Sequence, residues 1–282
     1  MEGDVLSRTR THSAKDAAPA EHSRSRPLVV LSPGFTWGAS SLTALAEDLA
    51  SHGYVVAGID HTYETFATTF PDGRGTTCDA CRLQTDDFGG QAEHSRALDV
   101  AFVLDSLTGR HPVWRGSRLI DPDRIGMAGS PLGGASATET MLNDARVRAG
   151  ANLDGLLFAP LPERGLHKPF LLMGQESIHS PGGTAEPSWD ESWPRLTGWR
   201  RWLVVRASVH ASFTDYDLLA RQIGADLGSG LAGDRSVQIT RTYVRAFFDQ
   251  HLRGVPQPLL RGPSPAQPEV AFCAPSREPA CA

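Results

Sequence analysis

The apolar positions fall into short runs that alternate with longer stretches of helical spacing. Residues 27–31 (PLVVL), 54–59, 125–128, 149–153, 170–173 and 202–205 are compact apolar runs, the form of strands buried on both faces. Between them, 42–51 places Leu42, Leu45, Ala46 and Leu49 on one helical face, and Gly53 predicts its end. Residues 92–107, 135–141 and 237–252 read as further helices. Strands alternating with helices predict an α/β fold with a mainly parallel sheet flanked by helices. The polar candidates lie just past strand C-termini, where open sheets of this kind bind ligands.

Residues 124–138, RIGMAGSPLGGASAT, carry the most informative pattern. An apolar strand, a small-residue turn and a helix follow one another, the setting of a nucleophile elbow, G-x-S-x-G. Gly129 and Gly133 occupy the two glycine positions, but Pro131 stands where the serine belongs. In this register Leu132 still offers its N–H to an oxyanion. In the other register Ser130 is the nucleophile, flanked by Ala128 and Leu132. The residue after it is then proline, without the N–H that normally serves as an oxyanion donor. A strained elbow is also incompatible with a proline φ, so a relaxed turn is expected.

Composition narrows the setting. The chain has 282 residues, 40% of them apolar, enough for one large α/β domain or two small ones. Net charge is −5 with the two signs interspersed, which gives no footprint for nucleic acid or an anionic membrane. No apolar run is long enough to span a bilayer. Residues 1–26 are polar and read as a disordered leader without a secretory signal, so the expected location is the cytoplasm. Residues 255–282 read as a proline-rich surface tail. Cys78 and Cys81 form a lone C-x-x-C, which disfavours zinc, and the histidines show no ligand spacing. Neither metal nor cofactor is expected. The disulfide state of Cys78, Cys81, Cys273 and Cys281 stays open.

Several separated motifs share one order. The run from Leu31 to Thr65, the elbow, ANLDG at 151–155, SVHASFTD at 208–215 and FFDQHLRG at 247–254 resemble the platelet-activating-factor acetylhydrolase and lipase-like group of α/β-hydrolases. The resemblance covers residues 27–254; the first strands of such domains are not evident in residues 1–26. It implies His210 as catalytic base, Asp154 as orienting acid and the Phe35 N–H as first oxyanion donor. Glu176, after the next strand, is the competing acid, and a purely structural role remains open for each of these residues. Trp37, Phe158, Trp189 and Phe213 are expected around the substrate. The tryptophan-rich segment 175–200 reads equally as a lid or as core filling.

Three functions follow. The first is a non-hydrolytic acid–base enzyme for a small hydrophobic carbonyl or ester compound, performing cyclisation, elimination or isomerisation in specialised metabolism. The second is a carboxylic ester hydrolase using Ser130 or water. The third is a non-catalytic binding protein. Oligomeric state is not readable.

Overall fold

The computed structural model describes residues 11–19, 25–83, 85–183, 186–232 and 234–282. Most of the expected leader therefore lies outside the described residues. Within 11–19, the amides of His12 and Ser13 donate to the Glu47 carboxylate at 3.0 and 2.7 Å.

The central sheet runs β2-β1-β5-β6-β7-β8-β9. Its strands are β1 (Arg26–Ser32), β2 (Val55–Gly58), β5 (Ile120–Gly129), β6 (Val147–Leu153), β7 (Phe170–Gln175), β8 (Arg200–Val205) and β9 (Val270–Cys273). All neighbours pair in parallel except β8 and β9. β3 (Thr68–Thr69) and β4 (Gly75–Thr76) form a small antiparallel ribbon beside it. The helices are α1 (Thr43–Ser51), α2 (Phe88–Thr108), α3 (Leu132–Asn143), α4 (Glu176–His179), α5 (Ser188–Ser192), α6 (Tyr216–Gln222) and α7 (Arg235–Leu252).

The inner segments of the central strands, LVVL at 28–31 and FLLM at 170–173 among them, are apolar because both faces are covered. Val29 and Leu31 of β1 pack with the buried faces of α1 and α7, while Leu28 and Val30 pack on the opposite side with Val100 and Leu104 of α2. α7 presents Ile239, Tyr243, Val244, Phe247 and Phe248 to the first layer, the repeat expected of a helix lying on a sheet. α3 is buried almost throughout, and its small residues permit that close approach. Its hydroxyls bond within the helix: Ser136 to the Leu132 carbonyl at 2.9 Å and Thr140 to the Ser136 carbonyl at 2.8 Å.

The sequence expectation for 255–282 needs correction. Its VAFC run pairs antiparallel with β8 and closes the sheet edge. A Cys273–Cys281 disulfide and reciprocal bonds between Phe272 and Ala282, at 2.8 and 3.0 Å, fold the last residues onto β9. Cys78 and Cys81 form the second disulfide. This pairing uses both thiols of the solitary C-x-x-C.

Candidate active site

Because β2 lies on one side of β1 and β5 on the other, the loops after β1 and β5 diverge. Such a switch point opens a crevice at the strand C-termini. Five strand ends supply it: residues 33–38 after β1, Ser130–Pro131 after β5, Asp154 after β6, Gln175 as the last residue of β7 and His210 after β8.

Asp154 and His210 meet here. His210 Nδ1 lies 2.6 Å from Asp154 Oδ2, the geometry of an Nδ1–H donating to the carboxylate. Asp154 is buried, whereas the His210 side chain is half exposed. Gln175 holds the acid from the other side. Its backbone N–H donates to Oδ1 at 2.6 Å and its side-chain amide to Oδ2 at 2.9 Å. Asp154 adopts a left-handed φ of 63°, an uncommon state for a non-glycine residue. Asn152 shapes that turn by accepting from the Gly155 N–H at 2.8 Å and donating to its carbonyl at 2.9 Å. Sequence reasoning found Asp154 but missed Gln175 and Asn152. The motif ANLDG contained the asparagine; its pairing with Gly155 was the signal.

Glu176 takes no part in the pair. It is about half exposed and lies 3.5 Å from Arg206 Nε.

The elbow is relaxed. Pro131 has φ −73° and ψ −47° and leads directly into α3. Its glycine frame nevertheless retains close approach. A Cβ on Gly133 would sit 1.9 Å from the Ser32 carbonyl oxygen, and one on Gly129 would sit 2.4 Å from the Gly133 backbone. Pro131 lines the cavity together with Leu132, Asp154 and His210. Ser130, the alternative nucleophile, does not line it. Its hydroxyl is buried and has no hydrogen-bond partner among the described residues. A nucleophile must reach its substrate, so this placement argues against Ser130 in that role.

Leu132 is the first residue of α3, where a helix leaves its N–H groups without internal partners. Neither its amide nor that of Phe35 enters a backbone hydrogen bond among the described residues. Both residues line the cavity, so both amides remain candidates for binding an oxyanion.

The cavity has a volume of about 550 Å³. Phe35, Trp37, Phe88, Leu156, Phe158 and Ile178 give it apolar walls. Trp37 stands 6.0 Å from the His210 ring and packs edge-on against Tyr216 at 5.0 Å. Two expected pocket residues lie elsewhere. Trp189 is fully buried, its ring stacked on His179 at 3.8 Å and its N–H donated to the Gly155 carbonyl at 2.8 Å. It therefore buttresses the Asp154 turn from within the core. Phe213 packs into the core layer beneath α7. Both side chains are consumed by packing that local sequence does not reveal.

Glu93 borders the cavity without lining it. It is fully buried on α2 and accepts the Phe158 and Ala159 amides at 3.0 and 3.1 Å. Burial pushes its carboxyl up to about 7, and burial likewise raises Asp215 to about 6. A carboxyl raised in the folded state binds more protons there than in the unfolded chain. Its stabilisation is complete at acidic pH and is lost as pH rises through 6 to 7. Thermal melting should therefore show a higher Tm at pH 5 than at pH 8 from these two groups. Glu93→Gln should reduce that difference; an unchanged difference would remove Glu93 as its source.

No protein-family model matches the chain. Among curated proteins, it is 28% identical over 266 residues to a probable 1-alkyl-2-acetylglycerophosphocholine esterase of Arthroderma benhamiae, covering 87% of this chain and 66% of that protein. It is 25% identical over 246 residues to the platelet-activating factor acetylhydrolase of Cavia porcellus, covering 74% of this chain and 53% of that one. The chain thus spans between about half and two thirds of the length of these relatives. Among solved structures, the ferulic acid esterase from Streptomyces cinnamoneus superposes with a TM-score of 0.85 at 46% identity, over 96% of this chain and 80% of that one.

Proposed function

Since the chain belongs to the esterase group of the α/β-hydrolase superfamily, we propose that it hydrolyses hydrophobic carboxylic esters by activating water at the His210–Asp154 pair. The carrying observation is that one cavity is lined by His210, Asp154, Pro131, Leu132 and Phe35. That set contains a base, its orienting acid and two candidate oxyanion donors, and lacks only the nucleophilic hydroxyl.

With Nδ1 donating to Asp154, His210 Nε2 is the nitrogen free to act as base. Water attacks the acyl carbon while its proton passes to Nε2. The carbonyl electron pair moves onto oxygen, which the Phe35 and Leu132 N–H groups stabilise. Collapse breaks the ester C–O bond, and Nε2–H returns the proton to the leaving alkoxide. Acid and alcohol form without an acyl-enzyme. The names of the relatives favour this reading over a non-hydrolytic cyclisation or elimination.

The walls suggest the substrate class. A cavity of about 550 Å³ with aromatic sides suits an aryl or arylalkenyl ester, and the ferulic acid named for the solved esterase is of that kind. Among the described residues no Lys or Arg lines it, which makes a phosphate-bearing glycerolipid the poorer fit.

The test is turnover of methyl ferulate, p-nitrophenyl acetate and a 1-alkyl-2-acetylglycerophosphocholine by purified protein, with fluorophosphonate labelling in parallel. The aryl esters should turn over fastest and no serine should be labelled. Turnover of all three no faster than by His210→Ala would sink the hydrolase reading. Labelling of Ser130 would sink the water route.

A further inference from the structure

The loop that carries the Phe35 amide is anchored from behind by groups outside the cavity. Arg96 on α2 is fully buried, and its Nε and Nη2 donate to Glu64 Oε2 at 3.0 and 2.7 Å. Its remaining nitrogen, Nη1, donates to the Pro33 carbonyl. Glu64 in turn accepts the Thr36 N–H on its backbone oxygen at 2.9 Å. Arg96 therefore holds the chain at residue 33, and the backbone of the glutamate it anchors holds it at residue 36, on either side of Phe35.

The grip has something to hold. Thr36 has a φ of 68°, in the left-handed region that a β-branched residue avoids. The loop also nests against the elbow, since a Cβ on Gly34 would sit 2.6 Å from Pro131 Cδ. A second hydrogen-bonded chain supports the same corner. Asp99 accepts from His61 Nδ1 at 2.6 Å, and His61 Nε2 lies 2.9 Å from Ser32 Oγ. Burial keeps His61 below its usual value, so Nε2 is free to accept the Ser32 hydroxyl. Ser32, His61 and Asp99 have triad connectivity, but Ser32 and His61 are buried and neither lines the cavity. Their geometry serves the loop rather than a substrate.

We propose that the buried Arg96–Glu64 pair is a positioning unit that fixes the Phe35 N–H at the oxyanion site. The catalytic consequence rests on the ester-hydrolase reading; the anchoring does not. Removing one partner would leave a lone buried charge, whereas replacing both with apolar side chains often preserves stability. Arg96→Met/Glu64→Leu is therefore the informative variant, because the Glu64 backbone carbonyl survives it.

Two readouts are taken, with folding checked by thermal melting. Amide hydrogen exchange across residues 34–36 should accelerate by about tenfold or more, as a local opening becomes easier. Turnover of an aryl ester should fall by about 10–100-fold in kcat with KM nearly unchanged, because a displaced donor weakens only the transition state. Arg96→Lys, which has one ammonium for two acceptors, should show the same pattern and serves if the double variant does not fold. Unchanged exchange in a folded variant overturns the proposal. So does faster exchange with unchanged kcat in an active enzyme. If the wild type has no turnover, the hydrolase reading fails while the exchange result still decides the anchoring.

Discussion

Pro131→Ser is expected to raise turnover of p-nitrophenyl esters by about 10²–10⁴-fold and to make the protein reactive toward fluorophosphonates. The expectation rests on what surrounds the position. Gly129 and Gly133 still meet at backbone contact distance, and Pro131 already lines the cavity with His210 and Asp154. Leu132 follows and retains an N–H for the oxyanion. A serine restores the missing hydroxyl beside an existing base, and the reaction gains a covalent step. The gain should fall short of a full triad because the turn has relaxed to φ −73°, while an elbow serine is normally strained. A folded variant with no gain would show that His210 cannot reach the new hydroxyl.

His210→Ala should cost about 10²–10⁴ in kcat, measured on the aryl ester that turns over fastest. With no serine in place, the imidazole is the principal acid–base group, taking a proton from water and returning it to the alkoxide. Asp154→Asn should also reduce kcat. Asp154 sets the ring tautomer through the 2.6 Å contact, and an amide in its place is free to donate where it should accept. Gln175 already gives two hydrogen bonds to that carboxylate, so the asparagine would confront donors on both oxygens. Ser130→Ala should leave turnover within about twofold, since the hydroxyl is buried away from the cavity. Loss at Ser130 equal to that at His210 would restore serine as the nucleophile.

The legible parts of the chain share a physical reason. β1, β7 and residues 125–128 of β5 are buried on both faces, so their sequences read there as apolar runs. Asp154 and His210 were legible because each sits in a compact motif just past a strand, within an ordered set of motifs. β9 was hidden by the prolines around it, and its pairing partner lies some 70 residues away in sequence. Trp189 and Phe213 show what a sequence withholds about aromatic residues. Local sequence offers Trp189 equally to a lid and to the core and puts Phe213 beside His210, whereas both fill core layers that long-range packing creates. Gln175, Arg96 and Glu64 were missed for a related reason: each acts through a partner on another element, so no local spacing marks it.

Water activation by His210 without an acyl-enzyme is tested most directly by the first turnover. Protein at micromolar concentration is mixed rapidly with excess p-nitrophenyl ester, and nitrophenol release is followed from the first milliseconds. The account predicts a line that extrapolates to zero product at zero time, with a slope that collapses in His210→Ala. A burst equal to the enzyme concentration, with acyl mass on the protein, would contradict it.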